Sequence, residues 1–319
     1  RDVRCPQTTR ETMSWNLRQH LGLYKRKNLR RSDMSLWNND NEIEFFRASL
    51  QNFATPEQIF YFLQNEYYAY VPKGYSAEGQ TINSRNSLIG KFTETWCKSI
   101  FDSVANSLDL YAVNGVICDE LGLTRSSPAD MAFCSTNAIQ QEPSNIKLLF
   151  EIKMSIISNY KFTAPHSVVW IGDYNQHRGN PSLLRSDSML KAIGKAINVR
   201  VSCQESTKIP IVVLGNSPIT NHYTHKVDFL KASGVLQGFW SLYPMPTTTT
   251  FIKETHGRGF ITINNTNELL PLCKNLVDTD MSYFSSMMPK DRIGEIIRIA
   301  NQEVTDIGKA EKFLQLIRG

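Results

Sequence analysis

Residues 148–155, LLFEIKMS, form an apolar run that is interrupted by two charges, Glu151 and Lys153. Successive side chains of a β-strand point to opposite faces of a sheet. Glu151 and Lys153 would therefore share one face of a strand, while Phe150 and Ile152 share the other. Charged side chains are costly to bury unless they are paired or bind a metal. The stretch predicts either a half-exposed strand with a surface ion pair or a site for chemistry.

A second run, Ala129–Cys134 (ADMAFC), alternates in the same way and carries Asp130. The segment between the two runs has a reasonable length for a loop that joins paired strands, and in that pair Asp130 would lie beside Glu151. Adjacent carboxylates repel each other unless a cation is present, and Mg²⁺ prefers hard oxygen ligands. A bound Mg²⁺ can activate water and stabilise a phosphoryl group in flight, and a lysine such as Lys153 can orient that water. The pattern indicates a metal-assisted phosphodiesterase site.

The spacing of apolar residues around these runs predicts an α/β protein with a mixed sheet. The predicted elements are helices over 41–53, 55–70 and 88–108, strands over 111–118, 129–134, 146–155, 167–172 and 209–214, a crossover helix over 181–198, a helix over 222–232, and mainly helices from about residue 269. The segments 155–161 and 173–180 are interpreted as polar loops. The core order is a helix, three strands, a further strand, a helix and a strand, with helical regions on either side.

Composition limits the class of protein. The chain has 319 residues, 41% of them hydrophobic, which suits a globular protein of one or two domains. No apolar run approaches the roughly 20 residues needed to cross a bilayer, so no membrane partner is expected. The chain starts at Arg1, so we expect the true start to be missing, and no signal-peptide pattern is visible. The six cysteines form no C-x-x-C pair, which suits a reducing cytosol.

The positive charge is concentrated at the start of the chain. Residues 1–31 hold nine Lys or Arg and two acids, a net charge of +7 against +5 for the whole chain, which leaves −2 for the remainder. A basic arm that includes Lys25, Arg26 and Lys27 suggests a polyanion as partner. A solvated basic tail explains the charge equally well.

These residues resemble the PD-(D/E)xK nuclease superfamily, which includes many type II restriction endonucleases. The matching residues are Pro128, Ala129 and Asp130 and, 21 positions later, Glu151-Ile152-Lys153. The proline stands two positions before the aspartate instead of one, which departs from the motif. The resemblance covers about residues 85–240 and implies a restriction-endonuclease-like core of helix, three strands, helix and strand. It divides the chain into an N-terminal basic arm and helical region (1–84), a nuclease core (85–246) and a mainly helical C-terminal region (247–319).

The resemblance also implies the roles of the site residues. Asp130 would bridge one or two Mg²⁺ ions, Glu151 would be the second carboxylate ligand, and the carbonyl of Ile152 would be a possible third ligand. Lys153 would position the attacking water. An additional acid often comes from the helix before the first strand of the core, and Glu94 fits that place.

Other candidates have a structural alternative. Glu94 fits an exposed helix position equally well, and Glu120 is a weaker candidate for the same role. The residues that could contact DNA phosphates or bases are Ser155, Asn159, Lys161, Asn175, Gln176, His177 and Arg178. Each of them could instead belong to a solvated loop. Arg185, Lys191 and Lys195 of the crossover helix could form a phosphate-binding face or a charged solvent face.

The implied function is a Mg²⁺-dependent, sequence-specific endonuclease of double-stranded DNA, of the type II restriction class. Such an enzyme would be a homodimer, since two-fold protein symmetry matches a palindromic site. Its expected location is the prokaryotic cytoplasm, with a cognate DNA methyltransferase as a separate genetic partner. The alternatives are a structure-specific nuclease of repair, recombination or transposition, and a non-catalytic DNA-binding module.

Overall fold

A mixed sheet forms the centre of the protein. The computed structural model describes residues 36–75, 82–165, 167–243, 251–284 and 288–318. Its strands are β1 Tyr61–Leu63, β2 Glu66–Tyr68, β3 Tyr111–Val116, β4 Ala129–Cys134, β5 Ile146–Ile152, β6 Asn159–Thr163, β7 Ser167–Gly172, β8 Ile211–Gly215, β9 Gly238–Ser241 and β10 Phe260–Thr262. Its α-helices are α1 Asn39–Asn52, α2 Pro56–Ile59, α3 Asn83–Asn106, α4 Ser186–Arg200, α5 Thr224–Ala232, α6 Leu269–Asp278, α7 Lys290–Ala300 and α8 Asp306–Arg318.

In this part of the chain the central sheet has six strands in the order β10-β9-β8-β5-β4-β3. Strands β3, β4 and β5 are antiparallel neighbours, whereas β5, β8, β9 and β10 run parallel. Parallel neighbours need a long crossover connection, usually helical, and α4 lies in the connection from β5 to β8. The prediction of an α/β protein with a mixed sheet is confirmed.

Helices cover both faces of this sheet. Its strands carry apolar side chains on both faces, and successive residues therefore point into two different cores. Leu148 and Phe150 of β5 lie in one core with α3, where the Phe101 and Phe150 rings are 4.9 Å apart. Leu149 lies in the other core, against the face of α4 that carries Met189, Ala192, Ala196 and Val199. The spacing of three and four residues on α4 places those side chains on one stripe. The predicted alternation of residues 148–150 is therefore confirmed.

A second sheet, of four antiparallel strands in the order β1-β2-β6-β7, corrects three predictions. The helix predicted over 55–70 is only the short α2, and a hairpin follows, because Gln64 and Asn65 adopt positive φ in a two-residue turn. The polar loop predicted over 155–161 contains the start of β6, whose Tyr160 and Phe162 are buried. The strand over 167–172 exists, but as β7 it belongs to this sheet and not to the central sheet.

The C-terminal region is mainly helical, as predicted, and adds one strand. β10 pairs in parallel with β9 at the edge of the central sheet, and α6, α7 and α8 follow it. The division of the chain at residues 84 and 246 stays a prediction. No helix in the described ranges is both long and apolar enough to span a membrane.

Candidate functional site

Strand pairing brings Asp130 and Glu151 together. β4 and β5 are antiparallel with Met131 opposite Phe150, so the same register places Asp130 opposite Glu151 at the end of the paired region. Next to that pair the Ile152 N–H donates to Asp130 Oδ2 at 2.7 Å. The aspartate thus ends the β4–β5 ladder and is held in place by it.

Lys153 follows directly after β5 and points its ammonium group at the same carboxylates. Its backbone N–H donates to the Leu214 carbonyl at 2.7 Å, which anchors the residue to β8. Its Nζ donates to Glu151 Oε1 and to the Ile152 carbonyl, the latter at 3.3 Å, and lies 3.8 Å from Asp130 Oδ2. The structure therefore brings together the three side chains that the sequence predicted to share a site.

A second lysine completes the group, which we call the charged cluster: Asp130, Glu151, Lys153 and Lys195. Lys195 Nζ lies 2.5 Å from Glu151 Oε2 and 3.4 Å from Asp130 Oδ1, and it donates to the Pro128 carbonyl at 2.8 Å. The sequence left Lys195 as either a phosphate-binding or a solvent-facing residue of the crossover helix. Its place in the cluster was missed, because the packing of α4 on the sheet decides which of its faces is buried. Lys195 lies three positions after Ala192 and four before Val199, at the edge of the buried stripe.

Burial and charge act against each other in the charged cluster. Burial raises the pKa of the Glu151 carboxyl, and the neighbouring charge of Asp130 raises it further, while Lys153 and Lys195 lower it. Burial alone would lower the pKa of the Lys195 ammonium, but the charges of Glu151 and Asp130 raise it above its usual value. The two lysines thus supply the positive charge that two adjacent carboxylates need, one of them buried and the other partly buried.

Glu94 lies on α3 near this group without being part of it. Burial raises the pKa of its carboxyl, and the negative charge of Asp130 contributes in the same direction. Its Oε2 is 3.4 Å from Lys91 Nζ, one turn away on the same helix. The alternative acid, Glu120, is exposed in a turn after β3 and accepts a hydrogen bond from the Cys118 thiol.

The donor set of the cluster fits a hard divalent cation. Asp130 and Glu151 offer carboxylate oxygens, and the Ile152 carbonyl faces the same ammonium group that contacts them. These are the oxygen ligands that Mg²⁺ takes, with water or phosphate oxygens completing its shell. Within the residues described, no three His, Cys, Asp or Glu side chains gather closely enough to hold a metal by themselves. A cation here would accordingly depend on two carboxylates and a backbone carbonyl.

A cleft of about 720 Å³ opens beside the cluster, and we call it the basic cleft. Ile152 and Lys153 form part of its wall. The charged residues that line it are Arg85, Lys153, Arg178, Arg185, Lys191 and Asp187. Five of these six are positive, so the cleft favours an anion. Arg85 is buried against the Tyr70 ring, with its guanidinium carbon 4.6 Å from the ring centroid.

Some of the predicted DNA contacts line this cleft. Ser155 and Arg178 are lining residues, and the Arg178 side chain is exposed. Gln176 is exposed and Asn175 half-buried in the loop before Arg178, but neither lines the cleft. Lys25, Arg26 and Lys27 lie outside the described residues.

Three other predicted DNA contacts have internal partners. Asn159 is buried, and its Oδ1 accepts from the backbone N–H groups of Tyr70 and Tyr160. His177 is buried and stacked on Tyr70, and burial lowers its pKa to about 4. Lys161 pairs with Glu66 across the second sheet at 2.5 Å. Asn159 and His177 thus hold the loops around the second sheet in place, whereas Lys161 forms a partly exposed ion pair on that sheet.

Neither a protein-family model, nor a curated protein, nor a solved structure matches this chain. A function is therefore inferred from the geometry of the charged cluster and the basic cleft. Two carboxylates and two lysines meet at the end of a β-hairpin, and a cleft lined by positive charges opens beside them.

Proposed function

We propose that this protein is a Mg²⁺-dependent endonuclease that hydrolyses phosphodiester bonds of double-stranded DNA, as type II restriction enzymes do. The observation that carries the proposal is the meeting of Asp130, Glu151 and Lys153 beside the basic cleft. Of the charged cluster, Lys153 lines the cleft, and the two carboxylates lie behind it. A lysine on the wall of a cation-lined cleft, next to two carboxylates, suits a reaction in which a phosphate gains negative charge.

Asp130, Glu151 and the Ile152 carbonyl would hold the cation. When bound, Mg²⁺ would neutralise charge on the phosphate and lower the pKa of a water molecule. Asp130 is positioned for this role by the Ile152 N–H, which fixes one carboxylate oxygen and leaves the other directed at the cluster. Glu94 would act at longer range, through the field of its carboxylate.

Lys153 would orient the attacking water and offset charge on the phosphate. Its ammonium carries three protons, and in this structure they face Glu151 and the Ile152 carbonyl. An ammonium in a partly buried site is held by such partners and needs little rearrangement when charge develops nearby. A positively charged group beside the scissile phosphate would therefore act mainly on the rate of reaction.

The basic cleft would hold the DNA backbone on either side of the cut. Arg178 and Arg185 lie exposed on its rim. Arg85, in contrast, is buried and donates to the backbone carbonyls of Ile59 and Ala69, so the rim residues would make the contacts. Phosphate contacts from such residues supply affinity that falls with salt, and they position the strand without reading its sequence. A homodimer on a palindromic site, and a methyltransferase that protects the host, belong to the same proposal.

The element order agrees with a restriction-endonuclease-like core. α3 is followed by the antiparallel strands β3, β4 and β5, and then by α4 and β8. Strands β6 and β7 would be an insertion between β5 and α4 that builds the second sheet. The elements outside the core would serve recognition and dimerisation.

Incubation with phage-length linear duplex DNA, with and without Mg²⁺, tests the proposal, with Asp130→Ala as the variant. Discrete fragments that require both Mg²⁺ and Asp130 are the expected result. Branched and nicked duplexes run in parallel distinguish a structure-specific nuclease. If no DNA is cut while DNA binding is retained, the protein is a binding module and the proposal is wrong.

A further inference from the structure

Lys195 bridges the two carboxylates of the charged cluster. Its Nζ contacts Glu151 Oε2 and Asp130 Oδ1, at 2.5 and 3.4 Å. The other oxygen of Asp130 accepts from the Ile152 N–H, and the other oxygen of Glu151 accepts from Lys153. The ammonium of Lys195 therefore takes the two carboxylate oxygens that remain for a metal ion.

The cluster is electrically balanced without a metal. It holds two carboxylates and two ammonium groups, and each of these side chains is at most about one-fifth exposed. Opposite charges attract strongly at such distances where water is partly excluded. A divalent cation added to this balanced cluster would leave two positive charges without partners, and uncompensated charge in a buried site is costly.

We propose that Lys195 is a resident counter-ion that competes with a divalent cation for Asp130 and Glu151. This inference rests on the metal site of the proposed function. Lys195 is suited to leave the carboxylates because its ammonium ends a flexible four-carbon stem on α4. Both ammonium groups also donate to a backbone carbonyl, Lys195 to Pro128 and Lys153 to Ile152. Lys153 lies 3.8 Å from Asp130, whereas Lys195 contacts both carboxylates within 3.4 Å, so Lys195 is the more direct competitor. The bound cation would take the place of one ammonium group, and a substrate phosphate would be the natural acceptor for the displaced one.

The α4 helix offers a matched control. Lys191 lies one turn before Lys195 and is also ion-paired, with Asp187 at 3.0 Å. Its side chain is 69% exposed, whereas that of Lys195 is 21% exposed. Removal of either lysine takes one positive charge from the same helix, but of these two lysines only Lys195 contacts Asp130 and Glu151.

The test is calorimetric titration of Mn²⁺ into the intact protein without DNA. Wild type, Lys195→Met, Lys195→Arg, Lys191→Met and Asp130→Asn are compared at one ionic strength. We expect Lys195→Met to bind Mn²⁺ at least about tenfold more tightly than wild type, because its competitor is gone. Lys195→Arg, which keeps the charge, and Lys191→Met should stay within about threefold of wild type, and Asp130→Asn should lose binding.

Unchanged or weaker Mn²⁺ binding in a folded Lys195→Met protein would overturn the inference. Thermal unfolding followed by circular dichroism shows whether that variant is folded. If Lys195→Met does not fold, Lys195→Arg provides the comparison. An Arg variant that binds Mn²⁺ more tightly than wild type would also contradict competition by charge. If wild type binds Mn²⁺ through Asp130 and cuts DNA, but the Mn²⁺ affinity of Lys195→Met equals that of wild type, only the inference about Lys195 fails. If no protein in the series binds Mn²⁺, the inference fails together with the metal requirement of the proposed function.

Discussion

The Lys153 ammonium lies within reach of both carboxylates, at 3.8 Å from Asp130 Oδ2, and on the wall of the basic cleft. Its replacement by methionine keeps most of the side-chain volume and removes the charge. We expect Lys153→Met to slow DNA cleavage by about 100-fold or more, because charge on the reacting phosphate loses a partner. DNA affinity should change much less. Single-turnover rates and binding isotherms measured on the same DNA separate the two effects.

Lys161 provides the control for this substitution. It pairs with Glu66 in the second sheet and does not line the basic cleft. Lys161→Met should leave the cleavage rate within about twofold of wild type, since a surface ion pair contributes little. Equal losses in the two variants would mean that Lys153 acts only through overall charge.

Glu42 on α1 is a buried acid outside the site. It accepts hydrogen bonds from Trp37 Nε1 and from the backbone N–H groups of Ile157 and Ser158, at 3.0, 2.7 and 3.1 Å. These bonds tie the segment after β5 to α1. Burial nevertheless raises its pKa from 4.5 to about 7, against the effect of the hydrogen bonds.

This raised pKa predicts a loss of stability as pH rises. Between pH 4.5 and 7 the folded protein holds a proton at Glu42 that the unfolded chain has released, so the free energy of unfolding falls across that window. The contribution is about 3 kcal/mol, at about 1.4 kcal/mol per pKa unit. Urea unfolding of wild type and Glu42→Gln at several pH values measures it. The variant should lack this part of the pH dependence, and parallel curves for the two proteins would contradict the prediction.

The site residues that lie on strands could be predicted from the sequence, whereas the one on a helix could not. Asp130, Glu151 and Lys153 were found because strand alternation places them on known faces of two strands. Lys195 was not assigned to the site, because its helix could dock on the sheet in more than one rotation, and only the packing of Ala192 and Val199 decides it.

At the scale of elements, strand existence was easier to predict than strand pairing. β4 and β5 are short apolar runs and α4 has apolar residues at helical spacing, so the local pattern was sufficient to predict that these elements exist. The buried face of α4 was not predicted, because Leu190 and Ile197, which have that spacing, are exposed. β7 has a similar pattern, yet it pairs with β6 in the second sheet. β6 contains Asn159, Tyr160 and Lys161, which look like loop residues until Tyr160 packs against the Phe46 ring, 5.4 Å away. A short stretch of sequence does not reveal such long-range contacts.

Two glycines test the packing of elements. A Cβ at Gly259, directly before β10, would lie 2.2 Å from the Val227 carbonyl oxygen of α5, so the backbone of one element must move. We expect Gly259→Ala to lower the free energy of unfolding by about 1–3 kcal/mol. Gly294 is exposed within α7, and nothing lies within 4 Å of its added Cβ. Gly294→Ala should therefore raise stability by about 0.5–1 kcal/mol.

Urea unfolding measures both glycine variants against wild type. The two substitutions add the same methyl group, so opposite signs isolate the effect of the contact with α5. A Gly259→Ala protein as stable as wild type would show that α5 and β10 can separate without cost.

At the scale of the whole molecule, charge distribution should set the salt dependence of DNA binding. The net charge is only +5, but five of the six charged residues lining the basic cleft are positive. Each phosphate contact contributes about 0.9 to the slope of log affinity against log salt. Arg178→Gln should reduce that slope by about 1, while Arg298→Gln on α7, which does not line the cleft, should leave it unchanged.

Fluorescence anisotropy with a labelled duplex at a series of salt concentrations gives these slopes. Equal slopes for wild type and both variants would place the DNA elsewhere on the surface. A loss in the Arg298→Gln variant alone would point to the C-terminal helices.

The proposed active site depends most on its two carboxylates, and isosteric substitution tests them most directly. Asp130→Asn and Glu151→Gln keep the shape of each side chain, and the amide oxygen introduced by Asp130→Asn can still accept from the Ile152 N–H. The measurement is the single-turnover rate of cleavage of phage DNA in Mg²⁺ by wild type and the two variants. We predict cleavage by wild type and a loss of at least about 100-fold in each variant, with DNA binding retained. Cleavage at the wild-type rate by either variant would contradict the assignment of this cluster as the active site.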